Sequence, residues 1–313
     1  MNGNKYKKVV SVSLGSSKRN HEANIVINGK HIEIIRLGTD GNLDKAKEIF
    51  EKFDGKVDAF GLGGTDIGLM IANKWFPLHS VLGIIKNVKK TPIVDGTGLK
   101  TLLEKNVASI LLQHIKENNP LINKKVLIMS GCDRWGLQKS FLNEGFTNNY
   151  GDLIFGLNIP ILLKSERQVK NFASILLPIV SRLPFRWLYP LGDKQFSNTP
   201  RAAKLFSTAS IIAGDRHYIM KYMPPRLDGK IIVTNTTTPD DMELFAKAGV
   251  HSVLTTTPIL NGRSFGTNVM EAALIAASEY NETINYRKPT NYFNFLESYL
   301  ATTEVKPQFT LMK

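Results

Sequence analysis

Residues 125–145 read Lys-Val-Leu-Ile-Met-Ser-Gly-Cys-Asp-Arg-Trp-Gly-Leu-Gln-Lys-Ser-Phe-Leu-Asn-Glu-Gly. The run predicts a short apolar strand, a tight glycine turn and an amphipathic helix closed by Gly145. Strand, turn and helix in that order open a dinucleotide-binding βα unit. The pattern G-x-G-x-x-G falls on Gly131, Asp133 and Gly136, so an aspartate stands at the second glycine. That glycine normally lets backbone approach a pyrophosphate. A carboxylate there faces a place where a helix N-terminus favours anions. Two readings follow: a nucleotide seated differently around Asp133, or a shell of this type that binds something else.

The 313 residues are enough for two domains, and a hydrophobic fraction of 42% supports real cores. The net charge of +13 is spread along the chain without a long basic block, which argues against nucleic acid as a partner and for mild attraction of anionic metabolites. With Cys132 the sole cysteine, no intramolecular disulfide can form, as expected in a reducing compartment. The six histidines are scattered and none has zinc-ligand spacing, so no metal is expected. No signal-peptide pattern or membrane-length apolar run is found, and a cytoplasmic protein without a membrane partner is expected.

Strand-like runs at 9–14, 31–37, 57–62 and 91–94 alternate with helical spacing, clearest at Leu43, Ala46, Ile49, Phe50 and Phe53. A break at Asn118-Asn119-Pro120 precedes a second series of strands at 125–128, 210–213, 230–234 and 252–256. The expected fold class is α/β with two domains. Residues 1–122 form an α/β substrate domain, 123–280 a Rossmann-like doubly wound parallel sheet, and 281–313 an irregular tail with a short helix.

Ligands of open α/β sheets sit beyond the carboxyl ends of the strands, and polar clusters fall there. Ser16, Ser17 and Lys18 can form an anion nest or a solvated turn. Gly63, Gly64 and Thr65 allow close backbone approach to a ligand, or a strained turn. Asp95, Thr97 and Lys100 open a helix at which an ammonium is unfavourable to the dipole, pointing to Lys100 as an acid or base. Asp215 and His217 suit proton exchange. Asn235, Thr236, Thr237 and Thr256 can hold ribose or amide groups, although threonine also suits strands for steric reasons. Arg263, Ser264, Thr267 and Asn268 precede a helix and can grip an anion or simply cap it. Gly131, Cys132, Arg134 and Gly136 shape the turn. Cys132 is either a small turn residue or a thiol activated by the helix N-terminus. Asp152, 21 residues after Gly131, stands where a ribose-binding acid is expected.

Val-Ser-Val-Ser-Leu-Gly-Ser-Ser (10–17), Asp-Ala-Phe-Gly-Leu-Gly-Gly (58–64), Leu-Pro-Phe-Arg-Trp-Leu-Tyr-Pro (183–190) and Gly-Arg-Ser-Phe-Gly-Thr-Asn-Val-Met-Glu-Ala (262–272) carry a resemblance. Over residues 8–280 the chain resembles proteins of low-GC Gram-positive bacteria labelled quinate or shikimate 5-dehydrogenase-like. A more distant likeness is to cyanobacterial long-chain acyl-carrier-protein reductases, whose acceptor cysteine lies later than any cysteine here. The first resemblance implies a Lys/Asp pair between domains, for which Lys100 with Asp133 or Asp215 is the match. The expected function is therefore an NAD(P)-dependent oxidoreductase of a small polar or carboxylated alcohol or carbonyl, with NAD or NADP as cofactor. Its partner would be an anionic or polyol-like small molecule, and self-association is compatible with it. Two alternatives stay open: a non-redox Rossmann-fold metabolite-binding protein, and an acyl- or phosphoryl-handling enzyme using the 15–19 nest.

Overall fold

The computed structural model describes residues 6–72, 74–118, 123–183, 198–260, 263–278, 280, 282, 284–285 and 288–312. Its strands are β1 (Lys7–Ser13), β2 (His21–Ile27), β3 (Lys30–Gly38), β4 (Ala59–Gly63), β5 (Gly68–Ile71), β6 (Lys74–Pro77), β7 (Ile93–Val94), β8 (Lys125–Ile128), β9 (Thr147–Tyr150), β10 (Ile211–Ala213), β11 (Ile231–Thr234), β12 (Ser252–Thr255), β13 (Ile259–Leu260), β14 (Arg263–Ser264) and β15 (Gln308–Leu311). Its helices are α1 (Leu43–Phe53), α2 (His79–Ile85), α3 (Thr97–Glu104), α4 (Val107–Asn118), α5 (Trp135–Asn143), α6 (Glu166–Val180), α7 (Ala203–Thr208), α8 (Arg216–Tyr222), α9 (Pro239–Lys247), α10 (Thr267–Ser278) and α11 (Thr290–Leu300).

Two compact units share these elements. The first comprises Met1–Leu99, Leu177–Lys194 and Phe265–Val305; the second comprises Lys100–Leu176, Gln195–Ser264 and Lys306–Lys313. The sequence reading put one boundary after residue 122. Here the first passage falls inside α3, and both units take back later segments.

Unit 1 holds a five-stranded sheet in the order β2-β3-β1-β4-β7. β1 runs parallel to β3 and β4, and β2 is an antiparallel edge. Being central, β1 is buried continuously from Val9 to Ser13, which is why it reads as an apolar run rather than an alternation. The Asn42 side chain starts α1 by accepting from Lys45 N at 2.9 Å, and Ala46 and Phe50 enter the core. α10 is apolar on every side, and Val269–Ala277 is buried throughout. Gly61 and Gly96 let its first turn close in, since a Cβ at either would overlap the backbone of residues 267–268.

Glu271 lies inside that helix with no exposed surface. One carboxyl oxygen accepts from Leu99 N at 2.9 Å and the other from the Tyr292 hydroxyl. Burial, reinforced by the charge of Asp95, pushes this carboxyl up to about 8 against those two bonds.

Unit 2 holds a six-stranded sheet in the order β15-β12-β11-β10-β8-β9. The five from β8 to β12 are mutually parallel, and β15 is antiparallel to β12. The tail expected to be irregular thus supplies an edge strand. The order reverses between β8 and β10, so the carboxyl ends of those two strands flank the crevice where ligands of such sheets bind. A core of Phe155, Phe206, Tyr222 and Phe245 fills one face.

The folded protein keeps the Glu271 proton at pH values where the unfolded chain has lost it. Stability is therefore expected to fall between about pH 4.5 and 8, by up to about 1.4 kcal/mol per pH unit. Urea titrations across this range should show that slope, and Glu271→Gln should flatten it; an unchanged slope in the variant contradicts the assignment.

Candidate functional site

In unit 2 the loop after β8 turns at Ser130-Gly131-Cys132. Its amides are already occupied. Asp152, two residues beyond the end of β9, accepts from Gly131 N at 2.9 Å and Cys132 N at 2.8 Å. Ser130 Oγ adds a weaker contact to the same carboxylate at 3.3 Å. Asp152 is buried, so this is a carboxylate held in the position an anionic ligand would take. Gly131 is glycine because a Cβ would strike the Tyr150 ring. Gly136 sits where α5 packs on Thr101 and Glu104 of α3. The Gln138 amide supports the turn from below, donating to Gly131 O at 3.1 Å.

Unit 1 repeats the device. The turn after β1 gives Ser17 N to Asp40 at 2.8 Å, and Asp40 stands two residues beyond the end of β3. Gly15 N goes to Ser13 Oγ and Lys18 N to Ser16 Oγ. Arg36 closes the back of the turn through Ser13 Oγ at 2.9 Å and Ser16 O at 3.2 Å. The expected nest of Ser16, Ser17 and Lys18 thus gives the Ser17 and Lys18 amides to side chains of the same unit.

Beside the Asp152-held loop lies a cluster of ionised groups. Arg134 is buried, 3% exposed. Its guanidinium reaches Glu104 at 2.6 Å and Asp215 at 2.9 Å, and its Nε lies 3.2 Å from Asp133. Lys100 Nζ donates to Asp133 at 2.9 Å, and Asn235 Nδ2 donates to Asp215 at 2.9 Å. Burial alone would lower the Arg134 pKa, but Glu104, Asp133 and Asp215 raise it above the usual value. Burial likewise opposes ionisation of Asp133, yet Lys100 and Arg134 hold it down to about 2. The Arg134–Asp215 pair joins the ends of β8 and β10 across the point where strand order reverses.

The structure therefore brings together Lys100, Asp133, Arg134, Asp215 and Asn235 from the expected set. Asp215 spends its other oxygen capping α8 through His217 N at 2.8 Å, while the His217 side chain is exposed beside Arg216. Thr256 and Thr257 continue beyond β12, their amides bonded to Thr234 O and Asn235 O. Both side chains are buried, and among the described residues their hydroxyls have no partner. Thr237 is buried and Thr236 half-buried on the neighbouring strand end.

Sequence reasoning missed three members. Glu104 lies four residues after Lys100 on one helix and could have been read from that spacing. Gln138 carried no signal. Tyr218 follows Asp215 by three residues, and its phenol is pushed up by burial and then by the charges of Asp133 and Asp215, which puts it among these carboxylates.

The unit 1 candidates make local contacts. Asp95 accepts from Ile67 N at 2.6 Å and Thr97 N at 2.9 Å. Asn268 donates to Ser11 Oγ at 3.0 Å and lies against Gly61 and Gly63, with Thr267 as the first residue of α10. Gly64 takes φ +77° and Thr65 is buried. The backbone of Arg263 and Ser264 pairs in a short hairpin with β13; their side chains, Gly262 and residues 184–190 lie outside the described residues.

Among the described residues, no helix is long and apolar enough to cross a membrane, and no group of three or more His, Cys, Asp or Glu could hold a metal ion. Two family models match. One, a domain of unknown function (DUF8753), covers residues 8–95; the other, a domain of unknown function (DUF8754), covers residues 98–310. The chain belongs to the DUF8754 family. No curated protein matches it.

Solved structures similar to the chain include a galactofuranose-binding protein (11% identity, 97% of this chain and 94% of that one, TM-score 0.37). Another is the periplasmic binding component of the arabinose ABC transporter of Shewanella sp. ANA-3 bound to arabinofuranose (10% identity, 94% and 97%, TM-score 0.37). A third is an NAD-dependent malic enzyme of Thermotoga maritima (13% identity, 96% and 86%, TM-score 0.37). At these scores the likeness carries no weight about ligand or activity.

The expected NAD(P)-dependent oxidoreductase is overturned on the chain's own geometry. A pyrophosphate needs the amides after β8, and Asp152 has them. Asp152 is thus no ribose acid. Arg134 is committed to three carboxylates rather than a phosphate. Burial and the charge of Asp152 push the Cys132 thiol far up, so it is no activated nucleophile.

Arg134→Met should leave Glu104 buried opposite Asp215 without compensation and cost about 3–5 kcal/mol in urea unfolding. Adding Glu104→Leu should restore part of the loss. A single variant as stable as the parent contradicts this role for Arg134.

Proposed function

We propose that this protein is a non-redox binder of a small, uncharged, polyol-like molecule, held at the carboxyl ends of β8, β10 and β11 in unit 2. The observation that carries this is the carboxylate content of the crevice. Asp133 and Asp215, the acids that keep solvent exposure, already balance Lys100 and Arg134, and Asp152 already holds the Gly131 and Cys132 amides. A phosphate or carboxylate arriving there would meet Asp133 and Asp215 and would find the Gly131 and Cys132 amides taken.

A hydroxylated ligand meets complementary groups instead. Asp133 and Asp215 keep 26% and 21% of their side chains exposed, and Lys100 keeps 13%. Carboxylate oxygens accept from ligand hydroxyls, and the ammonium donates to a ring or hydroxyl oxygen. Arg134 and Asn235 orient the two acids. The strand order of unit 2, with one strand outside β8, supports reading it as a flavodoxin-like variant of the doubly wound sheet, with its ligand at the reversal point.

Thermal unfolding with a panel of neutral pentoses and hexoses tests this. At least one should stabilise the protein, by about 2.7 kcal/mol at a hundredfold excess over its Kd, and Asp133→Ala or Asp215→Ala should abolish the effect. NADH and NADPH should give none. Stabilisation by either coenzyme, with silence across the sugars, contradicts the proposal.

A further inference from the structure

Unit 1 contains a cleft of about 570 Å³ on the amino-terminal side of β7, within the range of small-molecule pockets. Its wall is apolar: Ile67, Trp75, Leu82, Ile85, Val88 and Ile93. These residues belong to, or pack on, the core built around Phe50 and Phe60. Trp75 is brought in by the β5–β6 hairpin, in which it pairs with Met70. Its indole lies over Gly68, where any side chain would overlap it.

The rim differs in chemistry. Lys89 and Lys90 border the cleft with Glu282, and Glu282 is engaged by the Tyr280 hydroxyl. The two lysines are exposed, yet their backbone is fixed. Asp54 accepts from Lys89 N, Lys90 N and Thr91 N at 2.9, 3.0 and 2.9 Å. Thr91 Oγ1 in turn accepts from Gly55 N at 2.8 Å. Burial would raise the Asp54 carboxyl, but these amides hold it below the ordinary range, so the clamp is ionised at neutral pH. Two exposed lysines on a backbone fixed by Asp54 thus border the mouth of the cleft.

We infer that this cleft binds a medium-chain amphiphile with an anionic head, its chain against Trp75 and Leu82 and its carboxylate at Lys89 and Lys90. Apolar surface alone would suit a neutral hydrocarbon; the two lysines at the rim select the charged end. This site is independent of the unit 2 crevice and uses none of its residues.

Octanoate is the probe, titrated into the full chain by calorimetry and by tryptophan fluorescence. Saturable binding is expected, tightening roughly fourfold per methylene from hexanoate to decanoate. 1-Octanol should bind at least tenfold more weakly. The double variant Lys89→Glu/Lys90→Glu lies on the surface and should keep the parent's urea midpoint. It should lose at least tenfold in octanoate affinity while leaving 1-octanol unchanged. Val88→Trp should weaken both ligands by filling the cleft. Absence of saturable octanoate binding, chain-length independence, or unaltered affinity in the charge-reversed variant each overturns the inference.

Discussion

Two hydrogen bonds from Gly131 N and Cys132 N to the Asp152 carboxylate govern how this chain can be read. They convert the turn after β8 from an anion site into a closed internal contact. The energetic sense is clear: a buried carboxylate is costly unless charge-assisted donors surround it, and the amides at a strand-to-helix turn are such donors. Once the protein supplies that anion, a second one finds those two amides taken and faces repulsion.

The same arrangement recurs in unit 1, where Asp40 takes Ser17 N. In both units the aspartate lies two residues past the strand that flanks the first strand of the parallel run. The two differ in degree: Asp152 is buried on two amides, whereas Asp40 is exposed on one. The consequence in unit 2 reaches further, because the neighbouring Arg134 is drawn into Glu104, Asp133 and Asp215. A positive charge next to such a turn would ordinarily advertise a phosphate; here it balances the protein's own acids. What stays partly open to solvent is Asp133, Asp215 and Lys100, a set suited to hydroxyl groups.

Much of the fold was legible. The spacing of Leu43, Ala46, Ile49, Phe50 and Phe53 gave α1 its bounds, because one face of that helix meets a core and the other meets water. The central strands showed as apolar runs because parallel strands are covered on both faces. β2 and β15 were not legible. β2 is an edge strand with alternating exposure, and β15 is a half-exposed segment held by backbone pairing to β12, so neither leaves a hydrophobic signature. The interleaving of the two units was hidden too, since chain passages inside α3 and α6 break no local pattern.

The site was legible in membership more than in role. Asp152 stood out by its distance from Gly131, Asp133 by the departure from the glycine pattern, and Lys100 by its place at a helix start. Their roles depend on register: only the pairing of β9 with β8 shows that Asp152 turns back onto the loop. The most direct test is to follow the Gly131 and Cys132 amide resonances while NADPH or inorganic phosphate is added to the native protein and to Asp152→Ala. The account requires both resonances to stay fixed in the native protein and to move only when the carboxylate is gone. Displacement of either amide signal by the coenzyme in the native chain would contradict it.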